Sequence, residues 1–203
     1  MIISSSPAYV FVHIPKTAGT SLSNSLKAHS KIVETGGKKR DIDYHATARQ
    51  LREYVGTATF ETAYKFSFVR NPWGRLVSWY FFLQSHAPNL IGDQTFEDWV
   101  LRGAHMLEGT HMEGEPLVPG QRRPQLSWLE DENQNLMVDF VGKVETLEDD
   151  FAIVCDKLGF PPPDIPRMRT SSHGEYQQYY TQEMIDFVRN HYARDIEKFG
   201  YEF

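Results

Sequence analysis

The sequence is poor in the features that mark secreted, membrane and nucleic-acid-binding proteins. Its 203 residues include one cysteine, so a disulfide bond within the chain is excluded. No stretch approaches the roughly 20 apolar residues of a membrane-spanning helix, and the start, "MIISSSPAYVFVHIPK", lacks the basic residues of a signal peptide. The 21 Lys and Arg against 27 Asp and Glu give a formal net charge of -6, which argues against a broad basic surface for nucleic acid. We therefore expect a soluble, cytoplasmic chain with no stable membrane insertion and no nucleic-acid partner.

Two kinds of motif are also missing. The sequence has no HExxH and no paired cysteines, so we expect no metal site. It has no GxxxxGK[ST], the phosphate loop of ordinary nucleoside triphosphatases. The single thiol, Cys155, lies in the amphipathic pattern "FAIVCDKLGF", which predicts a small buried side chain rather than a nucleophile.

Apolar runs typical of buried strands alternate with patterns typical of helices. The alternation predicts one α/β domain over residues 1–203: a P-loop-like, three-layer fold whose central, mainly parallel sheet is flanked by helices. Residues 87–124 differ, because Gly and Pro recur and only residues 95–103 look helical, so we predict a loop-rich insertion. The predicted strands cover residues 8–14, 63–69 and 136–145, and the predicted helices cover residues 20–30, 45–55, 73–84, 147–158 and 181–200.

The turn after the first strand, "PKTAGTS", has the residue types of an anion-binding loop. Ligands of α/β sheets bind beyond the carboxyl ends of the strands, and a helix start there offers amides without intrahelical partners and a positive dipole end. Lys16 adds a positive charge, and Gly19 permits a positive φ or a close approach. The Walker A pattern is not met because Lys16 precedes Gly19, and a simple Thr or Ser helix cap is the competing interpretation. The candidate binding residues in this loop are Lys16, Thr17, Ala18, Gly19, Thr20 and Ser21.

A second candidate anion-binding element follows the second strand. Asn71 is a natural N-cap and Pro72 suits the first helical position, so a helix is predicted to begin just after Arg70. Arg70 can present its planar guanidinium to a phosphate, and Ser78, two turns into the helix, can add a hydrogen bond. The competing interpretation is a surface salt bridge for Arg70 and a solvated Ser78. The helix that begins after Arg70 is predicted to bury Trp73, Leu76, Val77 and Tyr80. Two such anion-binding elements after two strands of one sheet suggest a ligand with phosphates at both ends.

These segments resemble a known family. "HIPKTAGTS" resembles the 5′-phosphosulfate loop of sulfotransferases, and "FVRNPWGRLVSWY" resembles their 3′-phosphate motif. "VGKVETLEDDF" and "YARDIEKFGYEF" are similar to the branch that acts on carbohydrates, which includes heparan 2-O- and chondroitin sulfotransferases. The resemblance covers nearly the whole chain in blocks and is weakest at residues 87–124, which we expect to shape the acceptor side. It implies a co-substrate, 3′-phosphoadenosine 5′-phosphosulfate (PAPS), a product, PAP, and a hydroxyl-bearing acceptor, either a glycan or another small molecule.

The resemblance also implies roles for individual residues. Lys16 is expected to contact the 5′ end of the donor near the bridging oxygen, where negative charge develops. Arg70 and Ser78 are expected to hold the 3′-phosphate. Arg169 and Ser171 either reach the donor or lie in a Ser-rich loop that faces solvent. The 5′-phosphate is expected to lie against Thr17, Gly19, Thr20 and Ser21.

His45, in "DYHATARQL", is the candidate for the catalytic base. The ordinary pKa of histidine suits proton abstraction near neutrality, and the carbohydrate branch is similar in carrying a histidine before a helix. Asp43 and Glu61 remain alternatives for the base, as does a capping or packing role for His45. His13, at the end of the first strand, is predicted to pack against the turn or to orient it.

Two other functions fit parts of the sequence. A nucleotide kinase or hydrolase would use "LMVDF" as a Walker-B-like strand that ends at Asp139, and a non-catalytic module would bind PAP or PAPS without transfer. In the acceptor region, Arg122 and Arg123 either meet an anionic sugar or form an exposed basic pair. Trp99 and Trp128 either stack on a sugar ring or pack in the core.

Overall fold

The computed structural model describes residues 1–36, 42–101, 123–163, 165 and 174–203. The chain divides into two compact units. The first combines Met1–Arg70 with Gln125–Arg169, and the second combines Asn71–Pro124 with Thr170–Phe203. The first unit contains the sheet, and the described part of the second is built from helices. The α/β class is thus confirmed, while a single domain over residues 1–203 stays a prediction.

The sheet has five strands, β1 (Ile2–Ser5), β2 (Ala8–Val12), β3 (Ile32–Glu34), β4 (Tyr64–Val69) and β5 (Phe140–Lys143). Their order in the sheet is β3-β1-β2-β4-β5. β2 pairs in parallel with β4, and β4 pairs in parallel with β5. β1 runs antiparallel to both β2 and β3, so it alone opposes the shared direction of the other strands in this sheet. The predicted mainly parallel sheet is therefore confirmed.

The neighbouring strands β2 and β4 are mostly apolar, and most of their residues are buried. Phe11 in β2 and Phe66 in β4 are fully buried, and their rings stack with centroids 5.2 Å apart. Ser67 is equally buried, and its hydroxyl group donates a hydrogen bond to the carbonyl of Val12 at 2.7 Å. Val12 also lies opposite Ser67 in the parallel register, so β2 and β4 end at the same edge of the sheet. We call this edge the carboxyl edge.

Helices cover the sheet in the first unit. One cluster joins the phenylalanines of the sheet to two helices. Leu22 and Leu26 come from α1 (Gly19–Lys27), and Phe151 and Cys155 come from α7 (Leu147–Leu158). Cys155 is fully buried, which confirms the predicted small buried side chain, and burial raises the pKa of its thiol to about 11. The helices of the described residues are α1 (Gly19–Lys27), α2 (Ala48–Val55), α3 (Thr57–Thr62), α4 (Pro72–His86), α5 (Phe96–Leu101), α6 (Leu126–Leu129), α7 (Leu147–Leu158), α8 (Gln182–His191) and α9 (Ala193–Phe199). Within the described parts of the chain, no helix is both long and apolar enough to cross a bilayer.

The second unit is organised around α4. Asn71 caps this helix as predicted, because its side chain accepts hydrogen bonds from the amides of Trp73 and Gly74 at 3.0 and 3.4 Å. The predicted terminal helix over residues 181–200 is interrupted at Tyr192, which separates α8 from α9. The stripe of α4 that was predicted to be buried, Trp73, Leu76, Val77 and Tyr80, is confirmed. It packs in one cluster with Met184 and Val188 of α8.

Candidate functional site

Lys16 and Arg70 follow neighbouring strands at the carboxyl edge. β2 ends at Val12 and β4 ends at Val69, and the two strands pair in parallel without an intervening strand. Arg70 is the residue directly after β4, and Lys16 lies in the turn between β2 and α1. Adjacent strands of a sheet are roughly 5 Å apart, so the sheet brings two positively charged segments from distant parts of the sequence to one edge.

The turn before α1 has an unusual backbone. Lys16 and Ala18 adopt left-handed conformations with φ of 68° and 60°, while Thr17 between them does not. Left-handed residues that alternate with right-handed ones form backbone concavities that bind anions through successive N–H groups. The left-handed conformation costs a residue with a Cβ on the order of 1 kcal/mol, so other contacts of the fold must hold this turn.

Gly19 does not adopt the positive φ that was one of the two expected reasons for a glycine at this position. Its φ is not in the left-handed region, and its lack of a side chain is required by the ring of His13. A Cβ at Gly19 would lie 1.9 Å from both Cδ2 and Nε2 of that ring. The group that approaches Gly19 closely is thus a side chain of the protein, and a close approach of phosphate at Gly19 stays a prediction.

The start of α1 has no side-chain cap. Ala18 is the N-cap residue, and no side chain hydrogen-bonds to the helix start there. The hydroxyl group of Thr17 donates instead to the carbonyl of Ile14 at 2.9 Å. The first intrahelical bond runs from the amide of Leu22 to the carbonyl of Ala18 at 3.1 Å, so the amides of residues 19–21 precede the helical ladder. The interpretation of "GTS" as a simple Thr or Ser cap is wrong.

His45 lies at the same edge, next to the end of β2. Its Nδ1 is 2.8 Å from the carbonyl oxygen of His13. A carbonyl only accepts, so Nδ1 must carry a proton, and in the neutral ring Nε2 then carries the lone pair. The backbone of His45 is held as well: its amide donates to Asp43 Oδ1 at 2.6 Å, and its carbonyl accepts from Trp128 Nε1 at 2.9 Å. The fold thus fixes the imidazole of His45 in the form whose basic nitrogen is Nε2.

Arg70 is held by a residue that the sequence did not indicate. Its backbone amide donates to Gln125 Oε1 at 2.9 Å, and its carbonyl accepts from Gln125 Nε2 at 2.8 Å. Gln125 is fully buried. Its partner is 55 residues away in the chain, so no local pattern could have pointed to it.

Two acidic candidates lie at the opposite edge. Glu61 belongs to α3, which directly precedes β4, so it stands at the amino end of that strand. Asp139 precedes β5, and its carboxylate pairs with Lys65 Nζ at 3.0 Å. The Walker-B-like interpretation, which placed Asp139 at the end of its strand, is wrong because the strand begins after it. Of the alternatives to His45, only Asp43 lies beside it.

The remaining predicted residues fall into four groups. Ser78 lies in α4 of the second unit and is 7% exposed, so the interpretation of a solvated serine is wrong. Trp99 and Trp128 are buried at 4% and 1% exposure, which confirms packing in the core over stacking on a sugar. The carbonyl of Arg123 accepts a hydrogen bond from Arg75 Nη1 at 3.1 Å. Three residues lie outside the described part of the chain: Arg122, Arg169 and Ser171.

The sheet and its carboxyl edge define an α/β protein of P-loop-like architecture with a basic loop after its first parallel strand. The sequence matches the sulfotransferase family over residues 1–202, and the chain belongs to this family. An uncharacterized protein of Archaeoglobus fulgidus is 28% identical over 134 residues, which are 64% of this chain and 97% of that protein. The crystal structure of mouse sulfotransferase SULT7A1 complexed with PAP has a similar fold, with a TM-score of 0.56 at 17% identity over 93% of this chain and 83% of the mouse chain.

Proposed function

We propose that this protein transfers the sulfuryl group of PAPS to a hydroxyl group of a carbohydrate acceptor by in-line displacement. The observation that carries the proposal is that Lys16 and Arg70 follow adjacent parallel strands at one edge of the sheet. A nucleotide with phosphates at both ends matches two cationic elements on a common edge. Membership of the sulfotransferase family supports the reaction class, and the mouse protein of similar fold binds PAP in its crystal structure.

The residues of the carboxyl edge fit the chemistry of such a donor. The left-handed turn at Lys16 and Ala18 and the uncapped start of α1 offer backbone N–H groups, and no acidic residue lies in the first turn of α1. These groups favour an anion, and Lys16 adds a full charge. We assign this loop, residues 16–21, to the 5′ end of the donor and Arg70 to the 3′-phosphate. Three further donor contacts remain part of the proposal: Ser78, Arg169 and Ser171.

The proposed mechanism uses two side chains. PAPS supplies the sulfuryl group when it is bound. His45 Nε2 accepts the proton of the acceptor hydroxyl group as its oxygen bonds to sulfur, because Nδ1 is already protonated against the His13 carbonyl. Lys16 places its charge where the phosphate of the departing PAP becomes more negative as the sulfur–oxygen bond breaks. A positioned base contributes typically 10²–10⁴-fold to such a rate, and the fixed edge adds the effect of orientation.

The test is transfer of label from [³⁵S]PAPS to a panel of sugars and simple alcohols, with PAP affinity measured by calorimetry. Lys16→Ala and Arg70→Ala should each weaken PAP binding by about 10-fold or more, since each removes a charged contact. Their matched controls are Lys27→Ala and Arg49→Ala, which remove exposed charges from α1 and α2 and should leave affinity unchanged.

Three outcomes would contradict the proposal in different ways. PAP binding without transfer to any acceptor would indicate a non-catalytic nucleotide-binding module. Magnesium-dependent cleavage of ATP without use of PAPS would indicate a kinase or hydrolase. Equal PAP affinity in all four variants would mean that the ligand does not bind at the carboxyl edge.

A further inference from the structure

His13 lies between the start of α1 and His45. On one side its ring covers Gly19, where an added Cβ would be 1.9 Å from two ring atoms and 2.6 Å from Cε1. Alanine is a better helix former than glycine by up to about 1 kcal/mol, yet the first residue of α1 is a glycine. The contact with the ring explains this choice, because no side chain fits between α1 and His13.

On its other side His13 contacts His45 through both ring and backbone. The centroids of the two imidazoles are 4.6 Å apart with an interplanar angle of 60°. The carbonyl of His13 accepts the Nδ1–H of His45 at 2.8 Å. The core supports the ring from its own strand, since Phe11 stacks on it at 5.8 Å and 13°. The His13 ring therefore has a defined place with a neighbour on three sides.

The charge state of His13 suits this position. Burial is the main cause that holds the pKa of His13 well below its usual value of 6.5, and the positive charge of Lys16 lowers it further. The ring is therefore neutral near pH 7. A neutral neighbour does not repel the proton that His45 must accept, whereas a charged imidazole at 4.6 Å would oppose it.

We propose, on the basis of the function proposed above, that His13 is a positioning residue. Its ring sets the spacing between His45 and the loop of residues 16–21, which we call the donor loop. In-line transfer requires the attacking oxygen and the sulfur to meet in one geometry, and a displacement of about 1 Å can cost about 100-fold in rate. The donor loop determines where the sulfur lies, and His45 determines where the attacking oxygen is deprotonated. His13 contacts both elements and so keeps their distance constant.

A double-mutant cycle tests this inference through the contact with Gly19. Gly19→Ala alone should weaken PAP binding about 10-fold or more, because its Cβ meets the ring and the start of α1 must move. His13→Ala alone should lower kcat about 100-fold with a much smaller change in the Kd for PAP. In the double variant the new Cβ occupies the space of the missing ring, so PAP affinity should recover relative to Gly19→Ala. Recovery supports the inference, and additive losses overturn it.

Two controls separate positioning from general damage. His29→Ala removes an exposed imidazole that stacks on Phe160 at 4.7 Å, and it should change neither kcat nor Kd. His13→Ala should keep the pH profile of the wild-type kcat at a lower plateau, because His45 remains the base. A His13→Ala variant with wild-type kcat, or with a changed number of titrating groups in its profile, would overturn the inference.

Folding of the variants also gives a decisive result. If the Gly19→Ala protein does not fold, we expect the double variant to fold, because the space of the missing ring holds the new Cβ. A double variant that also fails to fold contradicts the inference. Wild-type protein that neither binds PAP nor transfers sulfate would reject the proposed function itself. Wild-type activity together with an additive cycle would reject only the role of His13.

Discussion

The side-chain amide of Gln125 hydrogen-bonds to both backbone polar groups of Arg70. Oε1 accepts from the Arg70 amide at 2.9 Å, and Nε2 donates to the Arg70 carbonyl at 2.8 Å. Arg70 directly follows the last residue of β4, and Gln125 is fully buried. A residue 55 positions away thus holds the chain at the point where the sheet delivers the proposed 3′-phosphate contact.

Gln125→Leu should destabilise the protein and weaken PAP binding together. The change keeps the volume but removes both partners of the Arg70 backbone, which should lower the free energy of unfolding by about 2–4 kcal/mol. The variant should also bind PAP about 10-fold more weakly, because displacement of Arg70 removes one charged contact of ordinary strength. Urea unfolding and calorimetric titration with PAP measure the two effects. The control is Gln177→Leu at an exposed position. If Gln125→Leu has the same stability and PAP affinity as this control, the hydrogen bonds between Gln125 and Arg70 are dispensable.

His45→Ala should abolish turnover and leave PAP affinity within about twofold of wild type, because the base contacts the acceptor and not the donor. Single-turnover kinetics and calorimetry measure the two quantities separately. Asp43→Asn provides the comparison, since it removes the carboxylate that accepts the His45 amide at 2.6 Å but keeps an acceptor oxygen. Loss of turnover only in Asp43→Asn would transfer the role of base to Asp43.

Asp139→Asn should lower stability without lowering sulfuryl transfer. Asp139 Oδ2 accepts from the Lys65 amide at 2.7 Å and lies 3.0 Å from Lys65 Nζ, at the edge opposite to the candidate site. The Asp139 side chain is 45% exposed, so solvent screens the pair and we expect a loss of only about 1–2 kcal/mol. Asp93→Asn, at an exposed loop position, is the control for urea unfolding. A large loss of transfer in folded Asp139→Asn would restore a catalytic role for this carboxylate.

His13 should make the protein less stable on the acid side of neutrality. The pKa of His13 is well below 6.5 in the folded protein, first because of burial and then because of the positive charge of Lys16. The unfolded chain binds a proton as the pH falls through about 6.5 and the folded protein does not, so the free energy of unfolding falls with the pH.

The matched variant is His13→Asn, which removes this proton. The stability difference between wild type and His13→Asn should shrink by about 1 kcal/mol between pH 7.5 and pH 5.5. Urea unfolding at a series of pH values measures it. A constant difference across that range would mean that His13 titrates alike in both states.

Several elements were predictable because their causes are local. The β-branched run of β2, the Asn71–Pro72 start of α4 and its buried stripe from Trp73 to Tyr80 follow from side-chain periodicity and cap chemistry. The short strands β1 and β3 were not predicted, since four and three residues contain too little pattern. They form because β1 pairs with strands on both sides.

By itself the sequence determined the types of the main strands and helices and the candidate loop with Lys16, because these depend on neighbours within a few residues. Only the tertiary structure decided that β2 and β4 are adjacent and parallel, that Gln125 holds Arg70, and that Asp139 lies at the opposite edge. These relationships join residues 55 to 74 positions apart. They depend on the order of the strands in the sheet. Burial of both sheet faces selects this order, and no local sequence pattern encodes it.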